Sequence, residues 1–415
     1  SIIFDLIENK EKNNNLYQLI FICTYHVIFY NLEKCLEKEK DAFDKMFDFY
    51  HELKDWAKQL IKMLKTEKNS FGQIKLLIAL LAIINYIIKS IENLIREDVI
   101  KISDFSFNKV LQIKVENDSV NVRLLNFNFE YGNEYVGLKY DFFILPETEK
   151  TLISIFNALF YHNSFLLYNN QRIFKKELLN IASSVLGKNI YYFTANKKFD
   201  LIGLDNIMYG NMRNGNLVCI NNIELMNFNL FKMMIERINE IFILIKSKSE
   251  EGYFIDRNNE KYAINIKKFN VFLSYNLDSI RIKGEKNFIP LCVKENFRNI
   301  GINYIDFYSY VNLIMNSYKI NRANEISSKI KFIIDGLMCK GLLLNNKNLK
   351  EVLFPLLFNS LKKELIFKRN EINKNSVYYI VKNCLFNVLL PFLNGDKQYK
   401  EEIENLINLT LFDYE

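Results

Sequence analysis

SFLLYNNQRIFKKELLNIASSVLGKNIYYFT, residues 164–194, decides the fold. Ser164 to Tyr168 is a short apolar run, and Phe174 to Leu186 repeats its apolar residues at helical spacing. Ile190 to Thr194 is a second short run, rich in aromatic and β-branched side chains. Strand, helix and strand in succession predict parallel strands of one sheet with the helix as crossover. The pattern extends outward in both directions. Upstream, Phe142 to Leu145 is an apolar strand that ends at Pro146, and Glu149 to Leu159 is a helix. Downstream, Leu217 to Ile220 and Val271 to Tyr275 are further strands. Such alternation predicts a mostly parallel sheet with helices packed on it. From about residue 304 to residue 415 the pattern is helical throughout, apart from loops near Leu344 to Asn348 and Asn394 to Asp396.

The stretch before this block reads differently. From Leu6 to about Lys65 apolar residues recur at helical spacing, as in Phe43, Met46, Phe47, Tyr50, Leu53 and Trp56, and residues 71–97 read as one long helix. Val110 to Val115 and Val120 to Phe129 then alternate about the turn Glu116-Asn117-Asp118, which predicts a β-hairpin. A chain of 415 residues has room for about two to four domains at the usual ~100 to 200 residues each. The pattern changes suggest boundaries near residues 130 and 303.

Composition excludes several classes of function. Hydrophobic residues at 49% and charged residues at 25% describe a globular chain rather than a disordered one. The net charge of +7 is spread along helical stretches, with no dense basic run and no aromatic and basic interleaving, so nucleic-acid binding is not implied. Cys23, Cys35, Cys219, Cys292, Cys339 and Cys384 form no C-x-x-C pair, which argues against zinc and against a disulfide framework. His26, His51 and His162 lie apart with no nucleophile motif beside them, so no catalytic histidine is expected. The most apolar run, Leu76 to Ile88, is shorter than the ~20 residues of a membrane span and predicts a buried helix. The chain starts at Ser1 with no secretory signal pattern and is expected to be a fragment of something longer.

Read end to end, the order of segments resembles the dynein heavy chain family, from the end of its linker through its first AAA+ module. His26-Val27-Ile28-Phe29 with Leu32 and Leu36 is similar to the family's linker helix. Tyr131-Gly132-Asn133-Glu134-Tyr135-Val136-Gly137 is similar to its G-Y-E-Y-L-G segment, and Ile144 to Glu149 to its I-T-P-L-T-D segment, with Pro146 keeping the proline. The family's P-loop, G-P-A-G-T-G-K-T, falls on Asn169-Asn170-Gln171-Arg172-Ile173-Phe174-Lys175-Lys176, where only Lys175 survives. Phe193-Thr194-Ala195-Asn196 with Asp200 resembles F-N-C-S and its later Asp. Gly215 to Asn222 stands where the family has G-A-W-x-C-F-D-E, so both carboxylates have become the amides Asn221 and Asn222. The hairpin Tyr253 to Ile266 matches a family insertion, and Val271 to Asn276 resembles V-F-I-T-M-N, with Asn276 as the first-sensor residue. Asn296 to Ile300 resembles L-F-R-P-V and puts Arg298 at an inter-module position, while Lys347 falls at the second sensor.

The resemblance implies a P-loop-type AAA+ module. Residues 1–130 would be the helical linker end with its β-hairpin, 131–303 the large α/β subdomain and 304–415 the small helical subdomain. It further implies ATP or ADP with Mg²⁺ as ligands and neighbouring AAA+ modules of the same heavy chain as partners. Accessory chains, a microtubule reached through a distant stalk and a cytoplasmic, cytoskeletal location belong to the same expectation. Strand order tests it: the strand ending at Phe193 should lie on the flank, with those at Ser164, Leu217 and Val271 adjacent in the centre.

The altered residues bear on the chemistry. A P-loop curls backbone N–H groups around phosphates, and its glycines permit that path. Asn169, Arg172 and Phe174 occupy three such positions. Magnesium would take a loop hydroxyl and sit beside an acid, but Lys176 offers an ammonium and Asn221 an amide. Asn222 cannot accept a proton from water near neutral pH. The reading is a structural module without hydrolysis. Its alternatives are a slow ATPase built on Lys175, Asn276 and Lys347, and a helical scaffold without nucleotide.

Overall fold

The computed structural model describes residues 16–37, 39–64, 70–116, 119–138, 144, 146–169, 175–196, 200–246, 252–255, 261–264, 269–276, 297–302, 306–317, 320, 322–339, 349–367, 374–392 and 397–412. The chain divides into two compact units, one of residues 1–53 and 78–304, the other of residues 54–77 and 305–415.

The first unit begins with α1 (Leu16–Leu36), and α2 (Ala42–Leu64) and α3 (Phe71–Arg96) follow in the chain. By length and apolar content the stretches Tyr17–Leu36 and Gly72–Arg96 would each suffice to cross a bilayer. The second is 83% buried inside the protein, which is how a core helix reads. Next comes an antiparallel sheet of β1 (Gln112–Glu116), β2 (Ser119–Leu124) and β3 (Phe127–Glu130). The expected hairpin is therefore three strands. Its second run breaks at Leu125, whose φ of 54° turns the chain back on itself. The α1 helix is fixed to β1 by the Tyr25 hydroxyl, which donates to the Leu111 carbonyl at 2.9 Å, and by a 2.6 Å ion pair of Lys114 with Glu33.

The α/β block runs α4 (Pro146–Phe160), β4 (Phe165–Asn169), α5 (Lys175–Leu186), β5 (Ile190–Thr194), α6 (Leu201–Asn214), β6 (Leu217–Asn221) and α7 (Phe228–Lys246). It continues with β7 (Gly252–Ile255), β8 (Lys261–Ile264), β9 (Asn270–Asn276) and β10 (Arg298–Gly301). The antiparallel pair β7 and β8 stands at the expected insertion; its tip lies outside the described residues. The expected strand Phe142 to Leu145 also falls largely outside them.

The main sheet has the order β10-β4-β9-β6-β5, and every neighbouring pair is parallel. So β5 is on the flank, and β4, β9 and β6 are adjacent in the centre. The step from β4 to β5 runs opposite to the steps from β5 to β6 and from β6 to β9. Right-handed crossovers therefore send α5 to one face and α6 and α7 to the other. On the second face Leu166, Val218, Ile220, Val271 and Leu273 pack with Leu204 and Met208 of α6 and Phe231, Met234 and Ile238 of α7, all nearly solvent-free. On the first face Phe165 stacks on Phe272 at 4.2 Å. Burial on both sides explains the near-continuous apolar strands. Asp200, whose place resembles a family Asp, caps α6 by accepting from the Gly203 N–H at 2.8 Å. Gly215 closes the same helix in the left-handed conformation at φ 70°.

In the second unit α8 (Phe307–Ser317), α9 (Ala323–Cys339), α10 (Leu349–Phe367), α11 (Lys374–Leu389) and α12 (Lys397–Phe412) pack through aromatic and aliphatic side chains. Phe307 stacks on Phe354 at 4.3 Å, and Ile330, Ile333 and Leu337 bury the inner side of α9.

Candidate functional site

In a parallel sheet the carboxyl ends of the strands share one edge, and ligand-binding groups collect there. Here β4 ends at Asn169, β6 at Asn221 and β9 at Asn276. Register sets Asn169 level with Asn276, and Asn221 level with Ser274. Three of the expected positions thus stand side by side. Pro146 is the first residue of α4, where its missing N–H costs nothing. Arg172, Phe174 and Lys347 lie outside the described residues, as do the side chains of Pro146, Asn169 and Asn276.

Lys175 is the first residue of α5 and is only 6% exposed. Its ammonium donates to the backbone carbonyl of Tyr275 at 2.5 Å, joining the start of α5 to the end of β9. The same charge reaches the Cys219 thiol. There it works against the burial that pushes the thiol up to about 12. Lys176 is exposed and holds its Nζ 5.3 Å from the centre of the Tyr192 ring on β5. Burial, with Cys219 and Glu177 adding to it, pushes the Tyr192 phenol up, and its hydroxyl donates to Asn180 at 2.9 Å.

The amide positions are also engaged. Asn221 Oδ1 accepts from the Cys219 thiol at 3.3 Å, and its carbonyl accepts from the Ala195 N–H at 2.9 Å. Asn222 has φ 57° and ψ 42°, the left-handed conformation that asparagine tolerates better than most residues. It opens a 3-10 turn over Ile223–Leu225 that holds one residue the sequence reading passes over. Glu224 is 9% exposed and lies within electrostatic reach of Tyr275. The Tyr275 phenol is pushed up to about 12, first by burial, then by Tyr168 and Glu224. The only signal in the sequence was a carboxylate two positions beyond the expected pair, outside the frame of the motif.

Arg298 is not part of this edge. It starts β10, pairs in register with Phe165 at the start of β4, and donates from Nη1 to Asn157 on α4. The segment Tyr131 to Gly137 is held by Gln18 of α1. Its Nε2 donates to the Tyr131 hydroxyl at 2.6 Å and the Glu134 carbonyl at 2.9 Å, while its Oε1 accepts from the Val136 N–H at 3.0 Å and the Gly137 N–H at 3.2 Å.

Chemically, this edge offers an ammonium committed to a carbonyl, a second ammonium over a ring, and two amides. Magnesium takes oxygen donors and prefers carboxylates, hydroxyls and water. Lys176, Asn221 and Asn222 do not make that set.

A five-stranded parallel sheet in this order, with a lysine opening the helix after one of its three inner strands and an all-helical unit following, defines a P-loop AAA+ module. The match at the sequence level is to the family described as the hydrolytic ATP binding site of the dynein motor region, over residues 131–404. The chain belongs to that family. Among solved structures it is similar to two point mutants of RuvB from Thermotoga maritima. Identity is 12% and 13%, with 58% and 59% of this chain and 70% and 69% of theirs covered, at a TM-score of 0.33 for both. A comparison with curated proteins finds no match.

Proposed function

We propose that this chain is a structural AAA+ module of a dynein-type motor heavy chain, preceded by the end of the linker, and that its own site does not hydrolyse ATP. The observation that supports this reading is the state of Lys175. A P-loop lysine serves catalysis by reaching the β- and γ-phosphates. Here the ammonium is buried and bonded to the Tyr275 carbonyl, which gives the side chain a structural task in place of a ligand. The amides Asn221 and Asn222 support the same conclusion. Neither can serve as a base, and the first is occupied by a thiol.

On this reading nucleotide turnover is supplied by other modules of the ring. Microtubule attachment through a stalk, accessory chains and a cytoplasmic, cytoskeletal location follow from the family. The site residues Pro146, Asn169, Arg172, Phe174, Lys175, Lys176, Asn221, Asn222, Asn276 and Lys347 are equivalents of a nucleotide site, and Arg298 faces a neighbouring module. The test is a titration of the chain with ATP, with and without Mg²⁺, alongside a phosphate-release assay. The expected result is no saturable binding below about 1 mM and no phosphate release. Micromolar affinity with turnover, abolished by Glu224→Gln, would establish an altered ATPase instead.

A further inference from the structure

The helix α2 carries two apolar rows, and only one of them is used by the fold. Ala42, Met46, Phe49 and Leu53 recur at i, i+4, i+7 and i+11 and are buried, so they form the core side. Phe43, Phe47 and His51 recur at i, i+4 and i+8 on another side of the helix. Phe43 is 38% exposed, Phe47 is 55% exposed, and His51 is exposed as well. This row lies in the first unit, which takes in α2 as far as Leu53.

The rings of the exposed row are held in place. The Tyr50 hydroxyl donates to Glu92 of α3 at 2.9 Å, and the Tyr50 ring stacks on Phe47 with centroids 6.2 Å apart. His51 stands edge-on to Phe47 at 4.8 Å. Aromatic surface left in water gives the fold nothing, whereas ordered and exposed rings are what the anchors of a partner fit.

The flank of the row selects the partner. Asp44, Asp48 and Glu52 run beside the rings, also at i, i+4 and i+8, and all three are exposed. Among the described residues none of them forms an ion pair. Asp44 is in the first turn, where the helix dipole favours an acid. Asp48 and Glu52 lack that compensation, and like charges one turn apart destabilise a helix. Lys40 and Lys54 lie beyond the two ends, so the patch is confined to residues 43–52 and is about 12 Å long. Rings beside carboxylates suit arginine best, because its planar guanidinium stacks on an aromatic face and bonds a carboxylate through two N–H groups. The acids repel nucleic acid and anionic lipid alike. Residues 1–15 of this chain hold three acids, two lysines and no arginine, so they do not supply the complement.

We propose that this face of α2 docks a short amphipathic helix of another protein, with its apolar side on Phe43, Phe47 and His51 and its arginines on Asp44, Asp48 and Glu52. The site stands whether or not the nucleotide edge is active.

The test uses the 415-residue chain and two fluorescein-labelled helical peptides of about 14 residues. They share a leucine face and carry either arginine or glutamate beside it. In anisotropy titrations the arginine peptide is expected to bind saturably below about 1 mM, and the glutamate peptide at least about tenfold more weakly, since exposed pairs contribute a few-fold each. Raising the salt should narrow that gap. The combined variant Asp44→Asn, Asp48→Asn and Glu52→Gln should erase the preference and leave the melting temperature level or higher. Phe47→Ala, at an exposed position, should weaken both peptides. Equal affinity for the two peptides, an unchanged preference in the amide variant, or no saturation by the arginine peptide up to about 1 mM would overturn the proposal. So would a wild-type dimer in sedimentation that becomes a monomer in Phe47→Ala, which would assign the face to a second copy.

Discussion

Replacing Lys175 by Met keeps most of the aliphatic stem and removes the ammonium, so it isolates the bond to the Tyr275 carbonyl. If Lys175 were a phosphate ligand, the apo protein would gain from the change, because an unpaired buried cation is costly and a thioether is not. The structure indicates the reverse. A hydrogen bond from a charged donor contributes about 1.5 to 3 kcal/mol, and losing it leaves the carbonyl at the end of β9 with one partner fewer. Relief from ammonium burial offsets part of this, and a loss of about 2 kcal/mol is expected. For a unit of this size that corresponds to a fall of about 3 to 4 °C in Tm. Thermal melts of the wild-type chain and Lys175→Met, each with and without Mg²⁺ and ATP, give the result directly. Nucleotide at 100 times its Kd would add about 2.7 kcal/mol of stability, a shift as large as the mutational one and of opposite sign. A melting temperature that stays level or rises in Lys175→Met, or that rises with ATP in the wild type, refutes the reasoning.

The thiols offer a second check. Cys219 and Cys384 are buried and Cys219 is pushed up to about 12, whereas Cys23 and Cys339 are exposed. Alkylation at pH 8 followed by peptide mapping should label Cys23 and Cys339 in the native protein, and Cys219 and Cys384 only after unfolding. Gly187 has φ 60°, and a Cβ there would lie 2.3 Å from Cζ of Tyr131. Gly187→Ala should cost about 2 to 3 kcal/mol, from the left-handed backbone and from displacement of a ring whose hydroxyl accepts from Gln18. A urea midpoint that does not move counts against it. His162 titrates below its ordinary value of 6.5, through burial and then Lys188. The unfolded chain therefore takes up the proton first. Its contribution to stability is complete above about pH 6.5 and is lost as pH falls from there towards the lower folded value. His162→Asn, acceptable to asparagine at the residue's φ of 50°, should flatten that limb of a pH and stability profile.

Much of the architecture could be read in the residues because parallel strands buried on both faces must be apolar throughout. The runs at 164–168, 190–194, 217–220 and 271–275 each become a strand of the sheet, within a residue or two at either end. The break at Leu125 was not legible, since no glycine or asparagine occupies that residue and a leucine with φ 54° follows only from tertiary packing. The edge strand β10 was missed as a strand. Arg298 and Asn299 are polar and exposed, and only Ile300 is buried, so the pattern is too short to register. Of the site, the sequence named Lys175, Lys176, Asn221 and Asn222. It did not show that Lys175 would turn to a carbonyl, that Lys176 would stand over Tyr192, or that Glu224 would act on Tyr275. All three depend on neighbours distant in sequence.

The loss of a motif without loss of the fold has a physical basis. The sheet is held by side chains at the start and in the middle of its strands, such as Phe165, Val218, Val271 and Leu273, and none of them is at the carboxyl edge. Phosphate-loop glycines cost backbone entropy on folding, about 0.5 to 1 kcal/mol each relative to alanine in regular structure. Side chains in their place remove that cost once no phosphate must be approached. An acid pair at the end of β6 would repel itself without a metal, and amides do not. Both kinds of exchange, glycine to a larger residue and acid to amide, are therefore neutral or favourable in the apo state. On the proposed reading, nucleotide binding at this edge should need several changes together. A variant with only Asn169→Gly, Arg172→Gly and Phe174→Gly is expected to be less stable by about 1 to 3 kcal/mol and still not to bind Mg²⁺ and ATP. Adding Lys176→Thr, Asn221→Asp and Asn222→Glu supplies the metal and water ligands, and calorimetry should then detect binding. Binding by the glycine variant alone would mean that the amides and Lys176 were never the obstacle. It would also mean that Lys175 leaves the Tyr275 carbonyl whenever a phosphate is offered.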